Sequence, residues 1–131
     1  MEKIKNEEES CKVILVGESA VGKTSLVSRF VRGKYDDTIT CSTSTSYDST
    51  SITFEDYNIT LNYQLWDTAG QERFRGLTRL FYTNASIVVL VFDITDRRSF
   101  EELNNYWRNE IRENAPKDIS KNWLFFIITY F

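Results

Sequence analysis

Eight consecutive residues constrain this chain more than any others. Gly17-Glu18-Ser19-Ala20-Val21-Gly22-Lys23-Thr24 satisfies the pattern G-x-x-x-x-G-K-[ST], and its flanks are those the pattern requires. The run CKVILVG (11–17) before it is short, apolar and rich in β-branched residues, which reads as a buried strand. After it, Val21, Leu26, Val27, Phe30 and Val31 recur at helical spacing as far as Arg32, and Gly33 stands where a helix end favours glycine. In that setting the glycines let backbone N–H groups curl around phosphate oxygens at the positive end of the following helix. The backbone donors belong to Ser19, Ala20, Val21, Gly22, Lys23, Thr24 and Ser25. Lys23 supplies a cation for the β- and γ-phosphates, and Thr24 a hydroxyl for Mg²⁺. The competing reading is a chance glycine turn carrying an exposed lysine.

A second motif follows 44 residues after Lys23: Asp67-Thr68-Ala69-Gly70-Gln71-Glu72, at the end of an alternating strand. A carboxylate at a strand end beside a phosphate loop is placed to hold Mg²⁺, commonly through water. Gly70 can offer a backbone N–H to a γ-phosphate, and Gln71 can orient an attacking water. Alone, this turn reads equally well as a plain strand-end loop. Together the two motifs point to one nucleotide site.

The remaining chain fits a single α/β domain. Ile59, Leu61, Tyr63 and Leu65 alternate with polar residues, and with Ile52 and Phe54 ahead of a turn at 55–58 they predict a β-hairpin. SIVVLVFD (86–93) and the apolar run at 122–131 predict further strands, and a helix is expected over part of 72–83. Phe100, Leu103, Trp107 and Ile111 mark another helix over 99–113, which Pro116 ends. Strands alternating with helices imply a mostly parallel sheet of about five strands, covered on both faces, with one antiparallel edge strand. Residues 1–10 read as a charged mobile tail, and 11–131 as the domain. Between Thr38 and Thr53, eleven of sixteen residues are Ser or Thr, which predicts a mobile loop entering a strand.

Charge and cysteines exclude several classes. The formal charge is −3, and two of those charges fall in the first ten residues. The body is near neutral, unlike a nucleic-acid binder. No apolar stretch approaches the ~18–20 residues of a membrane span, and the first ten residues cannot form a secretory signal. Cys11 and Cys41 lack metal-site spacing and read as free thiols in a reducing compartment, so the cytoplasm is expected.

GESAVGKTSLVSRF (17–30), WDTAGQERFRGL (66–77) and VVLVFDITDRRSFEELNNYW (88–107) together resemble small GTPases of the Ras superfamily, the Rab family above all. The resemblance covers about 11–114. It implies the doubly wound phosphate-loop NTPase fold with nucleotide at the carboxyl ends of the strands, and a GTP/GDP switch with Mg²⁺ acting in vesicle traffic. It assigns catalysis to Gln71 and Lys23, and nucleotide contacts to Gly70 and the loop. Ser19 takes a position where a small residue admits an arginine finger. Tyr35 matches an aromatic that stacks on guanine, an ordinary surface tyrosine being the other reading. Metal ligation falls to Thr24, Asp67 and Ser42, with Thr43 or Thr45 serving after a small shift. Effectors, exchange factors and GTPase-activating proteins would meet residues 36–47 and 70–82, where Arg73, Phe74, Arg75 and Leu77 resemble a partner-facing switch. A monomer is expected.

The sequence departs from that family in two places. The first switch, Cys41-Ser42-Thr43-Ser44-Thr45-Ser46-Tyr47, lacks the family's threonine-isoleucine-glycine signature. The strand resembling the family's fifth, at 123–128, ends in Thr129-Tyr130-Phe131 instead of the guanine-reading Asn-Lys-x-Asp motif. The expectation is a chain truncated before that motif and missing the last strand and helix, with an aggregation-prone edge at 124–128. Without a C-terminal prenylation cysteine, no lipid anchor is expected on it. The alternative function is a non-enzymatic remnant with weak or unselective nucleotide binding.

Overall fold

The computed structural model describes residues 6–34, 46–68, 79–117, 119 and 123–128. Five strands form one sheet: β1 (Glu7–Val16), β2 (Ser46–Phe54), β3 (Ile59–Asp67), β4 (Ile87–Asp93) and β5 (Trp123–Ile128), in the order β2-β3-β1-β4-β5. Among the described residues only the β2–β3 pair is antiparallel; β1–β3, β1–β4 and β4–β5 run parallel. This is the mostly parallel sheet with an antiparallel edge strand that the sequence predicts.

Alternation along β1 and β4 makes two cores. Ile14, Val16, Val88 and Leu90 point to one face and pack with Leu103, Trp107 and Ile111. Val13, Leu15, Val89 and Val91 point to the other and pack with Val21 and Val27. The second face belongs to α1 (Lys23–Arg32), which ends at Gly33, φ 69°, whose N–H donates to the Arg29 carbonyl at 2.9 Å. The first belongs to an unbroken helix built from α3 (Arg97–Glu102), a π segment (Leu103–Trp107) and α4 (Arg108–Asn114). It starts two residues before the predicted 99, because the Asp96 carboxylate caps the Arg98 N–H at 3.0 Å. Phe100, predicted among its apolar positions, is 49% exposed. A short helix, α2 (Arg79–Tyr82), falls within the predicted 72–83. No helix among the described residues is long and apolar enough to cross a membrane.

Two expectations need correction. Glu7–Ser10 are not tail: β1 begins at Glu7 and pairs in register with Ile59–Asn62. Parallel pairing uses main-chain groups, so exposed glutamates are no obstacle to it. Likewise the Ser/Thr tract is strand from Ser46 onward. On this edge strand the polar side chains find cross-strand partners, Ser51 Oγ donating to Asn62 Oδ1 at 2.6 Å and Thr53 meeting Thr60 at 3.0 Å. The hairpin turn is a 3₁₀ turn over Glu55–Tyr57 closed by Asn58 at φ 53°.

Candidate functional site

Parallel pairing brings the carboxyl ends of β1, β3 and β4 to one edge of the sheet, with Leu15 in register with Asp67. The phosphate loop leaves β1 at that edge. Gly17 opens it at φ 150°, where a Cβ would stand 2.1 Å from the Val91 carbonyl oxygen, so only glycine lets the loop pass β4 this closely. Ala20 at φ 62° and Gly22 at φ 94° are also left-handed. Gly22 is the N-cap of α1 with no side-chain cap, which leaves the helix start to backbone donors.

The lysine is not exposed. Lys23 is 3% accessible, and its Nζ donates to the Gly17 carbonyl at 3.1 Å and the Glu18 carbonyl at 2.6 Å. A buried ammonium is expensive unless it has partners. Here the loop's own carbonyls supply them. Beside it, Thr24 Oγ1 donates to Asp67 Oδ2 at 2.5 Å, and Asp67 is fully buried. Thus Lys23, Thr24 and Asp67, predicted from two motifs far apart in sequence, meet at one place.

The hydroxyl of Thr24 and the carboxylate of Asp67 form a hard-oxygen donor pair of the kind Mg²⁺ takes. Among the described residues no group of three or more His, Cys, Asp or Glu gathers. A two-residue donor pair suits a Mg²⁺ whose remaining ligands are water and phosphate. Of the other predicted site residues, Ser19, Ala20, Val21, Gly22 and Ser25 line the loop and the first turn of α1. Tyr35, Ser42, Thr43, Thr45, Gly70, Gln71, Arg73, Phe74, Arg75 and Leu77 lie outside the described residues.

Sequence reasoning missed three supports. Thr68 Oγ1, fully buried, donates to the Leu15 carbonyl at 2.6 Å and ties the end of β3 to β1. Trp107 Nε1 donates to Glu18 Oε1 at 3.0 Å across 89 positions. Lys12 sits 4.9 Å from the Trp66 ring, and its Nζ donates to the Leu80 and Thr83 carbonyls at 3.3 and 2.8 Å. It holds the end of α2, and burial pushes its pKa down. Only the second lay near a legible signal, a tryptophan at helical spacing.

A family model described as the Ras family matches residues 12–127. Ras-related protein RABG3e of Arabidopsis thaliana is 42% identical over 117 residues, 89% of this chain and 55% of that protein. Ras-related protein Rab-13 of Rattus norvegicus is 39% identical over 110 residues, 84% and 53%. Ras-related protein Rab7 of Pisum sativum is 41% identical over 117 residues, 89% and 55%. The chain spans about half the length of these curated relatives. With the phosphate loop, the buried Lys23 and the Thr24–Asp67 pair on one sheet edge, the chain belongs to the Ras family and is Rab-like.

Proposed function

We propose that this chain carries the phosphate site of a small GTPase switch that binds GTP and GDP with Mg²⁺, hydrolyses GTP and serves vesicle traffic. The observation that carries this reading is the convergence of the buried Lys23 ammonium with the Thr24–Asp67 pair at the carboxyl edge of the sheet. Phosphoryl transfer needs mainly positioning and charge stabilisation, and these residues supply both.

Lys23 exchanges its carbonyl partners for β- and γ-phosphate oxygens, and backbone N–H groups from Ser19 to Ser25 cradle the same oxygens. Thr24 and Asp67 hold the metal, and Mg²⁺, when bound, supplies positive charge that neutralises the phosphates. Gln71 orients the attacking water, Gly70 contacts the γ-phosphate, Ser42 (or Thr43 or Thr45) adds a hydroxyl, and Tyr35 stacks on the base. Partners meet 36–47 and 70–82. The half-exposed Tyr47 supports this, standing edge-on to Trp66 at 5.1 Å beside the chain that Lys12 pins. Such rigid aromatics suit recognition. No arginine lies within the loop, so turnover is slow without a helper protein.

Identification of the nucleotide that co-purifies tests the reading. Bound GDP supports it; an ATP-selective protein overturns it, and an empty protein overturns it in favour of a non-enzymatic remnant with weak or unselective nucleotide binding. Lys23→Ala removes a charge-assisted contact and is expected to weaken GDP binding by about 10- to 150-fold in a titration.

A further inference from the structure

Trp107 reaches the phosphate loop from the helical layer on the other face of the sheet from α1. It is fully buried, ends the π segment, and donates its indole N–H to Glu18 Oε1. Glu18 is also the residue whose carbonyl accepts from Lys23 Nζ at 2.6 Å. One loop residue therefore carries both contacts, its carboxylate to the helix and its carbonyl to the lysine.

The π segment explains how the indole reaches so far. Ser99, Leu103, Trp107 and Ile111 are all buried at four-residue intervals. In a regular α-helix each such step drifts about 40° around the axis, and three steps would swing the stripe through about 120°. The wider π turn absorbs part of that drift and keeps Trp107 facing inward. Tyr106 braces the indole edge-on at 5.0 Å. At the loop, Ala20 and Gly22 hold left-handed conformations, and the helix ladder begins at the Gly22 carbonyl, which accepts from the Leu26 N–H at 3.0 Å, so side-chain tethers carry more of the task of fixing the residues before it.

We propose that Trp107 is a positioning residue for phosphate binding: through Glu18 it sets where the Lys23 ammonium stands. The proposal rests on the nucleotide reading above. An indole N–H on a carboxylate is a charge-assisted bond, the stronger class, and it joins the loop to the largest fully buried side chain among the described residues.

Three variants separate this role from packing. Trp107→Phe keeps an aromatic ring without the N–H, Glu18→Ala removes the acceptor, and Glu18→Gln retains an acceptor oxygen. In titrations with fluorescent GDP, Trp107→Phe and Glu18→Ala each weaken binding about tenfold. The Trp107→Phe/Glu18→Ala double variant is no weaker than either alone, because both break one bond. Glu18→Gln rescues, staying within about twofold of wild type. Losses that add in the double variant, or a lowered melting temperature with unchanged GDP affinity, overturn the proposal. Amide hydrogen exchange across Gly17–Thr24 in the nucleotide-free protein reads the tether independently, and needs no GDP binding at all. Faster exchange in Glu18→Ala than in Glu18→Gln is the expected result, and it also covers a Trp107→Phe protein that fails to fold. Equal exchange in wild type and both Glu18 variants overturns the tether. A wild-type protein that binds no nucleotide overturns the nucleotide reading instead.

Discussion

The two ends of the sheet obey different rules. At the carboxyl edge, Gly17 passes so close to β4 that a Cβ on it would stand 2.1 Å from the Val91 carbonyl oxygen, and Lys23, Asp67 and Thr68 are buried polar groups held by named partners. At the opposite end, β1 and the β2–β3 hairpin carry exposed Glu7, Glu8, Glu9, Ser51 and Thr53. Both ends are hydrogen-bonded strand, but only one buries polar side chains. Burying a polar group is tolerable only with a partner in place, so each residue at the carboxyl edge depends on its neighbours, and each at the hairpin end is nearly independent. That contrast is what a binding edge and a structural edge should show.

Substitutions test this contrast. Gly17→Ala should have the largest effect, because the new methyl meets backbone that cannot move aside and the φ of 150° is strained for any side chain. A loss of about 3 kcal/mol or more in urea unfolding is expected. Thr68→Val keeps the shape and strips a buried carbonyl of its donor, for an expected loss of about 1–3 kcal/mol in the same measurement.

A third change tests buried polarity away from the site. Burial holds the Glu110 carboxyl above its ordinary 4.5, the Glu113 charge adds to this, and the Tyr106 hydroxyl partly opposes it. Among the described residues, Glu110 Oε1 and the nearby buried Tyr82 hydroxyl have no hydrogen-bond partner. The folded state thus binds the Glu110 proton more tightly than the unfolded state does. The contribution is fully present below pH 4.5 and is lost as pH rises through the raised value. Glu110→Gln does not titrate, so it should melt higher than wild type near neutral pH by a margin that shrinks towards pH 4. A margin that grows on acidification would refute this account. The smallest effect belongs to the hairpin: Ser51→Ala should shift stability by no more than about 0.5 kcal/mol. A loss above 1 kcal/mol would erase the distinction between the two ends.

Much of the fold was legible because its signals are local. Apolar alternation marked β3, a continuous apolar run marked β4, helical spacing with Gly33 marked α1, and Glu55–Asn58 marked the turn. The polar strand segments were not legible. Glu7–Ser10 and Ser46–Ser51 carry no apolar alternation, and they become strand only because β3 offers its backbone on both sides. The π segment left a trace in the repeated four-residue spacing of Leu103, Trp107 and Ile111, but spacing alone does not tell a drifting α-helix from a widened one.

At the site, the chemistry is written in local pattern: a glycine loop, a lysine, a hydroxyl and a strand-end carboxylate, each required by backbone conformation or charge within a few residues of itself. Tertiary structure alone decided that Lys23 is buried against its own loop, that Thr68 closes onto Leu15, and that Trp107 holds Glu18. The last two contacts join residues that parallel pairing and helix packing bring together from distant parts of the chain. Local pattern records which groups a segment offers. The sheet order and the packing of the helical layer decide which of them meet.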